Sequence, residues 1–184
     1  MKKLLLVALL VTFAAPAAAQ EVRRGIGVKA GWLWPDGELS DGFGSTWVVG
    51  VDLGARGRLL GVGVDAKFSR KKAEFGGPEL VADATWTSIP VSGNLYLNLF
   101  VDRGSTLYVG GGATYAYTRI AGVTPGSELA TRFGEARWSW GWNAVVGADA
   151  GQVYIEAQLI RVSRGFETGR LDLGGFNLTL GFRF

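Results

Sequence analysis

Trp138-Ser139-Trp140-Gly141-Trp142-Asn143-Ala144-Val145-Val146 carries an apolar residue at every even position, and mostly small or polar ones between. Side chains pointing alternately to opposite sides are the mark of an extended strand with one apolar face. The same period returns along the chain. Ile26, Val28, Ala30 and Trp32 alternate with Gly25, Gly27, Lys29 and Gly31. Trp47 to Leu53 and Leu60 to Phe68 repeat it, and so do Ile89 to Leu99, Leu107 to Tyr117, Val153 to Leu159 and Phe176 to Phe184. No segment keeps a helical period. The expectation is an all-β chain of eight antiparallel strands, each of roughly ten residues, the length that crosses a bilayer at a tilt of about 45°.

Alternation leaves open whether the apolar face points into or out of a closed barrel. A secreted soluble ligand-binding barrel has the same strand number and buries its apolar face. An eight-stranded barrel is only just wide enough inside for side chains, and three successive inward tryptophans at Trp138, Trp140 and Trp142 overfill it. The apolar face is therefore expected to meet lipid, in an up-and-down transmembrane β-barrel. The opposite face then lines a narrow polar lumen, with Lys29, Asp52, Asp65, Lys67, Glu156 and Arg183 expected to pair there, since unpaired buried charge is costly. Connections alternate too. Segments 55–58, 101–105 and 149–152 read as tight turns, and 33–44, 70–85, 119–136 and 162–171 as longer loops. Short turns face the periplasm in such barrels, which places both termini there. Trp32, Trp47, Phe68, Trp86, Tyr117 and Trp138 fall at the loop-side strand ends and are expected to form an interfacial aromatic girdle.

The chain has 184 residues with 29 glycines, no cysteine, no histidine and a single methionine. Disulfides, thiol chemistry and imidazole catalysis are excluded, and an enzyme is not expected. Lys2 and Lys3, an apolar run from Leu4 to Ala15 and the small residues Ala17-Ala18-Ala19 have the form of a cleaved secretory signal peptide. The expected division is residues 1–19 as leader and 20–184 as barrel domain. Loss of Lys2 and Lys3 brings the mature chain within one charge of neutral, so the basic balance does not point to nucleic acid. Neither cofactor nor metal is expected: Asp36, Glu38 and Asp41 lack the spacing of a calcium loop.

Leader, alternating strands, tight turns and the terminal Phe176-Asn177-Leu178-Thr179-Leu180-Gly181-Phe182-Arg183-Phe184 resemble the small outer-membrane β-barrels of the OmpA transmembrane-domain and OmpX type, the outer membrane protein beta-barrel domain. The resemblance implies localisation in the outer membrane of a Gram-negative cell. It also implies that Phe176, Leu178, Leu180, Phe182 and Phe184 form a C-terminal signal read by the barrel-assembly machinery. Nothing follows Phe184 here, so tethering to the cell wall is not expected.

Gly25-Ile26-Gly27-Val28-Lys29-Ala30 and Gly61-Val62-Gly63-Val64-Asp65-Ala66 fit a dinucleotide fingerprint, but neither opens a helix after a buried strand. Glycines in tightly curved strands are the better reading. Asn177 to Thr179 fits a glycosylation sequon by chance. Arg70, Lys71, Lys72, Arg119 and Arg137 gather at the outer strand ends, where lipopolysaccharide phosphates lie, and are candidate lipid contacts. A structural or surface-interaction role follows, whether in envelope integrity, adhesion or lipopolysaccharide and partner contact through the loops, with no wide pore. The alternatives are a narrow pore or small-solute conduit and a soluble secreted barrel. With the barrel closed there is no free edge, and a monomer is expected.

Overall fold

Alternation of apolar and small polar residues lets a strand present one face to lipid and one to a lumen, and the chain uses it throughout. The computed structural model describes residues 23–72, 80–102, 104–123, 137–166 and 169–184. Its elements are β1 (Arg23–Pro35), α1 (Glu38–Phe43), β2 (Thr46–Arg56), β3 (Leu60–Lys72), β4 (Leu80–Asp102), β5 (Ser105–Val123), β6 (Arg137–Ala150), β7 (Val153–Phe166), β8 (Gly169–Asp172) and β9 (Gly175–Arg183). Each strand from β1 to β7 pairs antiparallel with the next, and β9 pairs with both β7 and β1, so eight strands close into a ring. β8 only extends the outer end of β7, from Ser163↔Asp172 to Phe166↔Gly169. The expected leader, residues 1–19, lies outside the described residues.

Register fixes which side chains share a layer. One row runs Val28↔Val51, Val51↔Ala66, Ala66↔Val91, Val91↔Tyr115 and Tyr115↔Trp140 across six strands. All six lie on the outward face. Leu53 is 60% exposed and Trp140 69%, values that only a surrounding apolar medium makes reasonable over so large an area. Tight connections at 57–59, 103–104 and 151–152 join the strands at one end, with Gly104 and Gly151 at positive φ. The segments expected as long loops are shorter than that: β3 runs on to Lys72, β4 begins at Leu80, β5 continues to Val123, and β7 with β8 forms a hairpin. Backbone pairing outlasts the apolar period there, because ladder bonds between neighbours do not need a lipid-facing side.

Inward glycines make room in a narrow tube. A Cβ on Gly147 would strike the Tyr108 ring, and one on Gly181 the Tyr154 ring, so these two positions let tyrosines lie across the lumen.

Candidate functional site: a braced lumen and a cationic rim

Lys29, Asp65, Lys67 and Glu156 come from β1, β3 and β7 and meet at mid-barrel, all buried. Lys29 Nζ lies 2.9 Å from Asp65 Oδ2 and 3.0 Å from Glu156 Oε2, and Lys67 Nζ lies 2.8 Å from Asp65 Oδ2. Two cations and two carboxylates thus balance where neither could stand alone. Lys67 also donates to Gln158, whose Nε2 donates to Asn143 Oδ1 at 3.0 Å. Asn143 Nδ2 passes the chain to Thr114 Oγ1 at 3.1 Å, and the Thr114 and Ser92 hydroxyls share a bond of 2.8 Å. The result is a continuous polar belt over β1, β3, β7, β6, β5 and β4.

Nearer the turns a second layer forms around two guanidinium groups. Arg183 Nη2 is 3.2 Å from Asp52 Oδ1, and Tyr154 donates to the other oxygen of Asp52. Arg56 Nη1 is 2.9 Å from Asp149 Oδ2. Its guanidinium lies 3.6 Å from the Tyr108 centroid and 4.6 Å from that of Tyr96, in cation–π contact with two rings that themselves meet edge to face. Asp52, Arg56, Tyr96, Asn98, Asp149 and Arg183 line a vestibule of about 350 Å³ that opens at the turn end. The structure therefore brings together all six expected lumen residues, in two layers. Arg56 and Asp149 join them from segments expected to be turns. Their signal was present: each lies on the polar parity of its strand, as do Tyr96, Tyr108 and Tyr154.

The lumen is not polar along its whole length. Toward the loop end Trp86, Ala116, Ile120, Ile160, Val162 and Leu173 form an apolar cluster that receives Leu39 and Phe43 from α1. Trp86 accordingly leaves the expected girdle: it is 1% exposed and packs 6.1 Å from Phe43, ring to ring. Its even position in β4 shares the inward parity of Ser88 and Ser92, which outweighs its place near a strand end. Trp32, Trp47 and Trp138 do face outward and are exposed, while Phe68 and Tyr117 are half-buried beneath neighbouring rings. Trp47 packs at a tilt on Phe68, ring to ring at 5.7 Å, and Tyr117 likewise on Trp138 at 5.4 Å. Phe176, Leu178, Leu180, Phe182 and Phe184 all point outward on or just beyond β9.

Just outside the aromatic layer the lipid-facing row changes character. Arg70 on β3 pairs with Thr87 on β4, and Thr87 with Arg119 on β5, while Lys72 stands two residues further out beside Thr85. Arg70, Lys72 and Arg119 are exposed on the outer face. Among the described residues none of the three has a carboxylate within ion-pair distance. Lys71 points to the other side of β3 and donates to the Ser45 carbonyl at 3.2 Å, which removes it from this group. The Arg137 backbone pairs with Thr118, but its side chain lies outside the described residues, as do Glu74, Glu79, Glu135 and Glu167. Asp36 is paired with Arg161 at 2.8 Å.

Residues 5–184 match the family model described as the outer membrane protein beta-barrel domain. The chain belongs to that family. No curated protein matches it. Among solved structures it is similar to Neisserial surface protein A, with a TM-score of 0.54 at 16% identity, covering 89% of this chain and 98% of that one. The Ail attachment invasion locus protein of Yersinia pestis, solved with the heparin analogue sucrose octasulfate, gives 0.50 at 15%, covering 89% and 99%. The N-terminal β-barrel domain of Pseudomonas aeruginosa OprF gives 0.50 at 12%, covering 89% and 100%. At these identities the likeness is one of fold. Membership in the outer membrane protein beta-barrel domain family places the chain in the outer membrane, with its exposed apolar belt in lipid.

Proposed function

We propose that this protein is a non-catalytic, monomeric surface barrel whose outer rim binds the phosphates of lipopolysaccharide and presents its loops to partners outside the cell. On this reading residues 1–19 are removed on export and the outward residues of β9 are the signal read during assembly. The observation that carries it is the lipid-facing row Arg70–Thr87–Arg119 with Lys72 beside it: cations without carboxylate partners among the described residues, directly above an aromatic layer. Adjacent strands lie about 4.8 Å apart, so the two guanidinium groups rise roughly 10 Å apart with hydroxyls between them. That spacing suits a phosphorylated sugar headgroup bound by several charge-assisted hydrogen bonds. The polyanion held by Ail on a barrel of the same fold is in keeping with such a rim. A role as a pore is disfavoured by the paired charges and the apolar cluster that occupy successive levels of the lumen.

The test is lipopolysaccharide binding by purified protein in nanodiscs, comparing wild type with Arg70→Gln/Lys72→Gln/Arg119→Gln. Affinity is expected to fall by about tenfold or more, and wild-type affinity to weaken with salt. Equal affinity with and without the three charges removes the rim from the account.

A further inference from the structure

Leu39 and Phe43 are not part of the barrel wall, yet both are almost wholly buried in it. They enter from α1, a single turn and a half whose backbone bonds are internal: Ser40 N donates to the Gly37 carbonyl and Gly44 N to that of Ser40, each at 2.9 Å. Gly37 and Gly44, one at either end, sit at φ of 57° and 59°, in the region that glycine enters without strain. The segment is thus a small rigid unit between two permissive joints. Beneath it the lumen wall turns apolar at Trp86, Ala116, Ile120, Ile160, Val162 and Leu173, although the belt next below is charged and polar. Trp86 Nε1, inside this chamber, has no acceptor among the described residues. A buried donor left unpaired costs about 1–3 kcal/mol, and an apolar plug cannot repay it.

We infer that the chamber is a binding site for an uncharged medium-chain acyl compound, with α1 as its lid. The alkyl chain takes the space of Leu39 and Phe43, and a carbonyl oxygen accepts the hydrogen bond that Trp86 Nε1 lacks. Those two side chains carry on the order of ten carbons, which sets a chain of about eight to ten carbons as the best fit. The head must be uncharged because the belt below is already neutral, with Lys29 and Lys67 committed to Asp65 and Glu156, so a buried ion would find no partner. This site is separate from the cationic rim, and its fate does not depend on lipopolysaccharide binding.

The experiment labels the protein with 5-fluorotryptophan in phospholipid nanodiscs and assigns Trp86 as the fluorine resonance lost in Trp86→Phe. Titration with methyl octanoate is expected to shift the Trp86 resonance saturably, whereas Trp140 and Trp142 drift only in proportion to ester dissolved in lipid. Nonane, of similar length but without an acceptor, is expected to bind about tenfold more weakly. Phe43→Ala, a change on the lid and not the wall, is expected to tighten ester binding by about tenfold, with the heat-dependent gel shift of a closed barrel showing that the variant has folded. A Trp86 resonance that only follows the lipid-facing ones, or ester and nonane of equal affinity, overturns the assignment.

Discussion

Lys29 is the residue on which most of the lumen depends, because among the described residues it alone forms ion pairs with both Asp65 and Glu156. Lys29→Ala leaves Glu156 buried without a cation and Asp65 with Lys67 alone, and is expected to cost about 3–5 kcal/mol in urea unfolding of the folded barrel. A Lys29→Ala/Glu156→Ala pair is expected to cost less than the two single changes added together; strict additivity would mean that the contact contributes nothing. Gly147→Val drives a branched side chain into the Tyr108 ring and through it against Arg56. It is expected to lower stability by about 1–3 kcal/mol in the same assay, with part recovered when Tyr108→Ala is added. Lumen charges are legible because a charge on alternate positions of an otherwise apolar-faced strand has nowhere else to go. Partners are less so: which carboxylate meets which cation depends on stagger around the ring, and no local pattern encodes it.

Strands announce themselves through their period, and β1 to β7 and β9 were readable for that reason. Their ends were not, since the ladder continues past the last lipid-facing residue, as in β4 from Leu80. Trp86 shows the conflict of two rules, in which parity wins over proximity to the girdle because a side chain on an extended strand has only two directions. α1 was missed altogether: six residues hold too short a run for helical periodicity, and Leu39 with Phe43 offers one i, i+4 pair. β9 closes the ring through its pairing with β1 from Gly27↔Arg183 to Pro35↔Gly175. If its outward residues also guide assembly, Phe184→Ser is expected to reduce the folded fraction in the outer membrane of cells several-fold while refolding in detergent proceeds normally. Equal losses in both settings would point to stability alone.

As a whole the molecule is a tube obstructed at successive levels, by paired charges at mid-height and by the apolar cluster beneath α1. Planar-bilayer recordings are expected to show no resolved channel steps for wild type. Phe43→Ala, which opens only the outer level, is expected to stay silent as well; steady conductance in either would mean that the belt leaks. Closure of the ring also predicts faster migration of unboiled than boiled protein on a denaturing gel. The belt has a mechanical corollary. Ordinary hairpin ladders unzip strand by strand when one end is pulled, because each strand is held only by its neighbours. Here β1 is fastened through Lys29 to β3 and β7, each one strand beyond its own ladder partners β2 and β9, so a force probe pulling on the amino terminus loads both at once. Extraction should then begin with a high first rupture that removes several strands together, and Lys29→Ala should turn it into a staircase of small single-hairpin steps.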